Sequence, residues 1–566
     1  MRFYGIGEVA RLLRVKPHVI RYWESEAPFL NPRKGFGGRR EYSTRDVQLL
    51  MRFQFLLRDK RYTVEGARRR IWEEIGGGTP DALSRVAQVR GDLIEVLAQV
   101  QKRRTVPMNE STIREKYESL GQEHLFRFWQ RRPAAMKERL LADLERMDPD
   151  LVARLAARVA DRDPPLPPFG PAPFLDMRET GQDAEARALG ESLIRGGRMA
   201  FLTVAGGQGS RLGFDGPKGL FAISPIRKAS LFRIFAEKLL AARRHYGAAI
   251  PWLIMTSPQN HARTLEHFEA EDWYGLGKDT VHCFVQGTLP SLSPEGKLLL
   301  AEDGGIFENP NGHGGVIEGL RESGLLETMR DQGVEELSYF QVDNPLVNVP
   351  DPVFLGCHRR AGSLISSKTV RKAYPEEKLG TIAVAGGKPL VVEYSDLPRD
   401  LMLSKDTGGG LLYPQGSIAI HVLNVGFLSG SRADLPYHRA RKKVKALIPL
   451  EKGVEIQERD AIKFEMFVFD AIPLAERSLF FETSREEEFA PLKNREGVDS
   501  IATCIQGQVE KHARWLEICG VEVPRRGDGR SRWLIEIGPL FAADPDRLRD
   551  RGSGLPQRIE GDTLLA

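Results

Sequence analysis

Apolar positions along the chain fall into three regimes. In residues 1–75 they are spaced for short helices. Val9, Ala10, Leu12 and Leu13 form one helical face, and Val19 and Ile20 lie on the inner side of a second run that starts at Pro17. Val15-Lys16-Pro17 separates the two, since proline suits the first turn of a new helix. From 81 to 104, Leu83, Val86, Leu93, Leu97 and Val100 keep a and d spacing, interrupted by Arg90, which predicts one amphipathic helix. Residues 109–160 are again helical in pattern. From 199 onward, short apolar runs alternate with helical ones, at Ala200–Ala205, Pro251–Thr256, Val281–Val285 and Leu337–Val342. That alternation predicts a doubly wound parallel α/β core, whose ligands sit at the carboxyl ends of the strands.

Two breaks punctuate the pattern. Gly76-Gly-Gly-Thr-Pro80 reads as a linker, and the six prolines between Asp163 and Phe174 read as another, running over the surface. The expected organisation is therefore a module at 1–75, a linker and possible dimerisation helix at 76–108, and a helical region with its proline-rich linker at 109–198. An α/β core at 199–430 and a smaller C-terminal part at 431–566 complete it.

A chain of 566 residues exceeds what one core organises. No apolar run approaches a bilayer span, and the N-terminal residues lack a signal-peptide core, so a membrane partner is not expected. Four scattered cysteines without Cys-x-x-Cys spacing fit a reducing cytoplasm and argue against a zinc site. The net charge of +5 is uneven, because residues 1–75 carry +8 and the remainder −3. A basic module on a near-neutral body points to a polyanion.

The candidate chemistry begins where the Ala200–Ala205 run breaks into Gly206, Gly207, Gly209 and Gly213, with Arg211 and Lys218 close behind. Glycines there let backbone N–H groups approach an anion, and the two cations would neutralise phosphate oxygens. A dinucleotide fingerprint is excluded because the sixth position from Gly207 is Leu212. A Walker A loop is excluded because Lys218 lies between Pro217 and Gly219. Further signals recur at strand ends: Gln286-Gly287, Asn311-Gly-His-Gly-Gly315, Val342-Asp343-Asn344, Glu393-Tyr394, Lys463 and Lys493. An acidic residue such as Asp343 at a strand end is a natural Mg²⁺ ligand. Nothing resembles a nucleophile elbow, so covalent catalysis is not suggested.

From about residue 110 to 520 these segments resemble the eukaryotic-type UDP-N-acetylhexosamine pyrophosphorylases, within the wider UDP-glucose pyrophosphorylase family. The resemblance implies a Rossmann-like nucleotidyltransferase core that makes UDP-sugar and pyrophosphate from UTP and a sugar 1-phosphate. It further implies that Val204, Ala205, Gly206, Gly207 and Gln286 hold the uridine beside Gly312. Arg211 and Lys218 would stabilise the leaving pyrophosphate, Asp343 would carry Mg²⁺, and Lys463 would contact the nucleotide phosphate. Glu393 and Tyr394 would meet the sugar hydroxyls, and Lys493 its phosphate. Two departures fall where the N-acetyl sugar is expected. His313 replaces an Asn, and Ser417-Ile-Ala-Ile420 replaces Asn-Ile-Ala-Asn. N-acetylglucosamine 1-phosphate is the first expectation, and glucose 1-phosphate the alternative.

Residues 1–75 resemble the winged helix-turn-helix of MerR-type regulators, through Ile20-Arg-Tyr-Trp-Glu24, Arg39-Arg40-x-Tyr42 and Asp46-Val47. That resemblance implies Arg21, Tyr22, Arg39, Arg40 and Tyr42 as contacts to double-stranded DNA, and a homodimer on a two-fold site. A regulator whose body senses UTP or UDP-sugar without turnover is the competing reading; retention of Arg211, Lys218, Asp343, Lys463 and Lys493 favours catalysis.

Overall fold

The computed structural model describes residues 3–76, except 14, 28, 29, 31, 35–39, 59 and 61. It also describes residues 109–566, except 161–165, 177–182 and 431–433. The predicted helix at 81–104 and Arg39 lie outside these. The chain forms two units, Met1–Lys116 and Tyr117–Ala566.

The first unit begins with strand β1 (Phe3–Gly5), helix α1 (Ile6–Leu12) and helix α2 (Pro17–Glu26). Strands β2 (Arg33–Lys34) and β3 (Arg40–Ser43) and helices α3 (Thr44–Arg58) and α4 (Val64–Gly76) follow. The strands pair antiparallel in the order β1-β3-β2. Pro17 occupies the first turn of α2, as its fixed φ allows. Val9, Ala10, Ile20, Trp23, Val47 and Phe53 make the core, with Trp23 edge-on to Phe53 at 6.0 Å. Asp46 ties the start of α3 by accepting from Ser43 N–H at 2.8 Å.

In the second unit the sheet strands are β4 (Phe169–Pro171), β5 (Met199–Val204), β6 (Trp252–Thr256), β7 (Val281–Val285), β10 (Glu336–Gln341) and β11 (Ile365–Arg371). They continue with β12 (Thr381–Ala385), β13 (Lys388–Val392), β14 (Gln415–Asn424) and β17 (Ser478–Glu482). Outside this sheet lie the pairs β8 (Thr288–Pro290) with β9 (Glu308–Pro310), and β15 (His438–Leu450) with β16 (Gly453–Glu465). The last pair is β18 (Ile535–Ile537) with β19 (Thr563–Leu565). The large sheet has ten strands in the order β13-β12-β14-β10-β5-β6-β7, with β11, β17 and β4 joined to it.

The four strands legible from the apolar runs, β10-β5-β6-β7, are parallel. The rest is mixed, because β14 runs antiparallel to both β10 and β11. Strand β11 buries Ser366, Ser367, Lys368 and Thr369, so it carries no apolar signature. Part of the proline-rich stretch is also structured, contrary to the surface linker expected. Phe169–Pro171 pairs with β12 at the sheet margin, where proline's missing N–H costs no ladder bond. Strand β17 joins β11 from well beyond residue 430, and a separate small core gathers Trp515, Leu516, Val521, Val523, Ile535 and Ile559. No helix among the described residues is long and apolar enough to cross a membrane.

Candidate active site

Strand β5 is buried on both faces up to Thr203, and its carboxyl end opens into the glycine loop. The loop folds back on itself: Gly209 N–H donates to Gly216 O at 2.8 Å, and Lys218 N–H to Gly207 O at 3.0 Å. Asn260, absent from the sequence reading, locks this shape. Its Nδ2 donates to Ala205 O at 2.9 Å, while its Oδ1 accepts from Ser257 N–H at 2.8 Å. At the end of β7, Gln286 Nε2 donates to Gly312 O at 2.6 Å, which joins the two glycine loops. Both loops need glycine for close approach. A Cβ on Gly206 would sit 2.8 Å from Gln286 Oε1, and one on Gly312 (φ +85°) would sit 2.4 Å from Met466 O. The expected uridine residues Val204, Ala205, Gly206, Gly207, Gln286 and Gly312 thus meet at the ends of β5 and β7.

Asp343 follows β10, level with the end of β5, since Val342 N–H donates to Val204 O at 3.0 Å. Lys218 Nζ lies 3.6 Å from Asp343 Oδ2, and both side chains are largely buried. The neighbouring Asn344 anchors a distant segment. Its Nδ2 donates to Glu488 O at 2.7 Å, and its Oδ1 accepts from Ala490 N–H at 3.2 Å. With Leu492 N–H donating to Asp343 O at 2.8 Å, the run 488–493 is held against the end of β10. This brings Lys493 to the same pocket, where Asp499 steadies its ammonium at 3.2 Å.

A cavity of ≈ 160 Å³ opens there, and His313, Asp343, Glu393, Tyr394 and Lys493 all line it. His313 is stacked on Phe467 and accepts from Val468 N–H through Nδ1 at 3.2 Å. Burial pushes its pKa down to about 4, so the ring is neutral with its proton on Nε2. Burial, then the Asp396 charge, raises the Glu393 carboxyl above its ordinary range. Ser417 and Ile420 line the cavity too, so an apolar side chain stands where the family pattern has an amide. Lys378 is a lining residue that no sequence signal revealed.

Two expected phosphate ligands stand apart from this cavity. Arg211 is exposed on the turn Ser210–Leu212 of the glycine loop. Lys463 points its ammonium to Glu465 Oε1 at 2.6 Å. In the first unit, Arg21 and Tyr22 are exposed on α2. Arg40 is also exposed, and its Nε donates to Glu24 Oε1 at 2.7 Å. Tyr42 departs from its expected role: it is fully buried, and its hydroxyl donates to Glu24 Oε2 at 2.9 Å. A side chain sealed in the core cannot reach DNA, so Tyr42 is a packing residue that orients Glu24.

A central sheet with a glycine loop at its parallel strand ends, facing an aspartate and convergent lysines, defines a nucleotidyltransferase-like α/β protein. Residues 175–498 match the UTP–glucose-1-phosphate uridylyltransferase family, and the chain belongs to it. Residues 4–73 match the MerR HTH family of regulatory proteins. The human UDP-N-acetylhexosamine pyrophosphorylase-like protein 1 is 33% identical over 459 residues, covering 76% of this chain and 90% of its own length. UDP-N-acetylglucosamine diphosphorylase 2 of Arabidopsis thaliana is 34% identical over 456 residues, 75% of this chain and 88% of its own. The crystal structure of the uridine diphosphate N-acetylglucosamine pyrophosphorylase from Trypanosoma brucei superposes with a TM-score of 0.67 at 26% identity, covering 81% of this chain and 99% of that one.

Proposed function

We propose that the chain transfers the uridylyl group of UTP to a sugar 1-phosphate, with N-acetylglucosamine 1-phosphate as first choice, and releases pyrophosphate. The observation that carries this reading is the convergence at one pocket of Asp343, Lys493, Glu393, Tyr394 and His313, with Lys218 beside Asp343. A sugar 1-phosphate lying against Glu393 and Tyr394 would place its phosphate at Lys493. Its oxygen attacks the α-phosphorus in line as pyrophosphate leaves. Such a reaction needs positioning and charge neutralisation, and little covalent work from protein groups.

Lys218 and Arg211 would take up charge on the leaving pyrophosphate, and Lys463 would contact the nucleotide phosphate. The largely buried Asp343 carboxylate at the strand end suits Mg²⁺, which is commonly held by one or two carboxylates plus substrate phosphates. Among the described residues no cluster of three metal-ligating side chains exists, and this chemistry does not call for one. Asp343 would hold such an ion, which would supply charge neutralisation and Lewis-acid polarisation for phosphate chemistry. The neutral His313 would offer an Nε2–H donor in place of an amide, whereas Ile420 offers none. This alters the sugar side of the pocket and leaves the phosphate side intact. Pyrophosphate release from UTP and Mg²⁺ across a panel of sugar 1-phosphates tests the reading; no release with any sugar would sink it.

For the first unit, we infer a MerR-like DNA-binding module. Its basic charge, the exposed Arg21 and Tyr22 on the second helix, and the family match of residues 4–73 support this. A homodimer would present two such helices to a two-fold site.

A further inference from the structure

A second cavity, of ≈ 370 Å³, lies in the catalytic unit and is larger than the proposed sugar pocket. Its walls come from the helices Ala184–Arg195, Leu231–Tyr246 and Ile501–Ile518, the segment 345–352 and the C-terminal stretch 536–547. Tyr246 and Trp515 give it aromatic surface. Its volume falls within the usual range of small-molecule sites.

Two of its lysines have no ion-pair partner among the described contacts. Lys238 donates to Pro345 O at 2.7 Å and Val347 O at 2.6 Å; Lys511 donates to Leu346 O at 3.0 Å and Glu487 O at 2.7 Å. Among the described contacts, each ammonium spends two of its three N–H groups, on backbone carbonyls. Burial drives both lysines below their ordinary pKa. The Arg547 Nε is buried with no hydrogen-bond partner. Carboxylates at this wall are already engaged: Glu536 accepts from Arg227 Nε at 2.7 Å and from Ile226 N–H at 2.7 Å, and Asp544 is paired with Arg547. Lys238 and Lys511 meet no carboxylate within ion-pair distance among the described contacts, and an incoming dianion would offset the cost of burying their charged forms.

The two cavities share a wall. Val347 lines both, and the carbonyls clamped by Lys238 and Lys511 begin two residues after Asp343. We propose that this second cavity binds a small phosphomonoester, and that the ligand acts on the catalytic pocket through the Pro345–Val347 segment. A phosphomonoester carries close to two charges at neutral pH, which matches the two ammonium groups. Its organic body would rest on Tyr246 and Trp515.

The test is calorimetric titration of the full chain with glucose 6-phosphate, whose phosphate is not on the anomeric carbon, and with inorganic phosphate. Expected is one-site binding that Arg547→Gln weakens at least about tenfold, as loss of a charge-assisted hydrogen bond predicts. Lys493→Met, altered only in the sugar pocket, should leave that binding unchanged. Should Arg547→Gln fail to fold, Arg187→Gln on the cavity rim carries the same test. Absence of binding by both probes overturns the site. So does binding lost in Lys493→Met yet retained in the arginine variants, since it would then belong to the catalytic pocket. Initial rates of pyrophosphate release should change at least twofold at saturating glucose 6-phosphate; an unchanged rate in a protein that binds it overturns the coupling.

Discussion

Lys218 and Asp343 stand 3.6 Å apart although 125 residues separate them in the chain. The pairing exists because β5 and β10 are parallel neighbours, so the loops leaving their carboxyl ends emerge side by side. In the proposed reaction, Lys218 would supply a cation for phosphate and Asp343 a carboxylate for a metal ion. Their contact defines the centre of the proposed reaction.

Asp343→Asn keeps the shape and removes the charge. Turnover in pyrophosphate release should fall about 10²-fold or more, in the range seen when one preorganised electrostatic group is lost. The circular dichroism melt should stay close to that of the parent protein. Full Mg²⁺-dependent turnover would remove Asp343 from the proposed role.

Lys493→Met separates the substrates. Lys493 lines the proposed sugar pocket, so KM for the sugar 1-phosphate should rise about tenfold or more, the value of a charge-assisted contact. KM for UTP should move far less. A rise confined to UTP would place Lys493 on the nucleotide side.

Gly312→Ala probes the second glycine loop. With φ at +85° and Met466 O 2.4 Å from the new Cβ, the variant should lose about 1–3 kcal/mol of stability and weaken UTP binding. Gly170→Ala, where the added methyl meets nothing within 4 Å, should stay within about 0.5 kcal/mol of the parent. Denaturant midpoints compare the two, and equal losses would refute the close-approach argument.

Three buried histidines set an acid limit. Burial depresses the pKa of His313 to about 4, His421 to about 3 and His512 to about 4. The unfolded chain, with histidine near 6.5, takes up these protons first as pH falls. Stability should therefore be complete above about pH 6.5 and fall steadily toward pH 4. A denaturant midpoint that does not move between pH 7 and pH 4.5 would show that these rings are not held neutral.

In the first unit, Arg21→Ala should weaken binding to promoter DNA across sequences and reduce the salt slope by about one, as expected for a phosphate contact. Tyr42→Phe should cost about 1 kcal/mol of stability through the lost bond to Glu24, with little direct change in DNA affinity at low temperature. Fluorescence anisotropy at several salt concentrations measures the first effect, and thermal melting the second. A salt-independent Arg21→Ala effect would contradict the DNA reading.

The glycine loop, the four parallel strands and the helix pair at the N-terminus were legible because each rests on local chemistry. Apolar runs demand burial, glycines permit close approach, and proline starts a helix. Asp343, Glu393, Tyr394, His313 and Lys493 could be picked out one by one by residue type and family pattern. Distances among them could not, because they depend on sheet order. Strand β11 stayed hidden because its middle positions, Ser366 to Thr369, are buried yet polar, with partners far along the chain: Lys368 with Asp351 and Glu488, and Ser367 with His421. Asn260 and the anchoring role of Asn344 were missed for the same reason, since each acts through backbone groups that only the fold brings near. Tyr42 shows the converse. Its residue type suited a DNA contact, and packing put it in the core. Residue types and spacing pointed to phosphate chemistry, and the family resemblance implied uridylyl transfer. Tertiary structure decided which groups share a pocket, because hydrogen bonds and ion pairs act over a few ångströms of space and not along the chain.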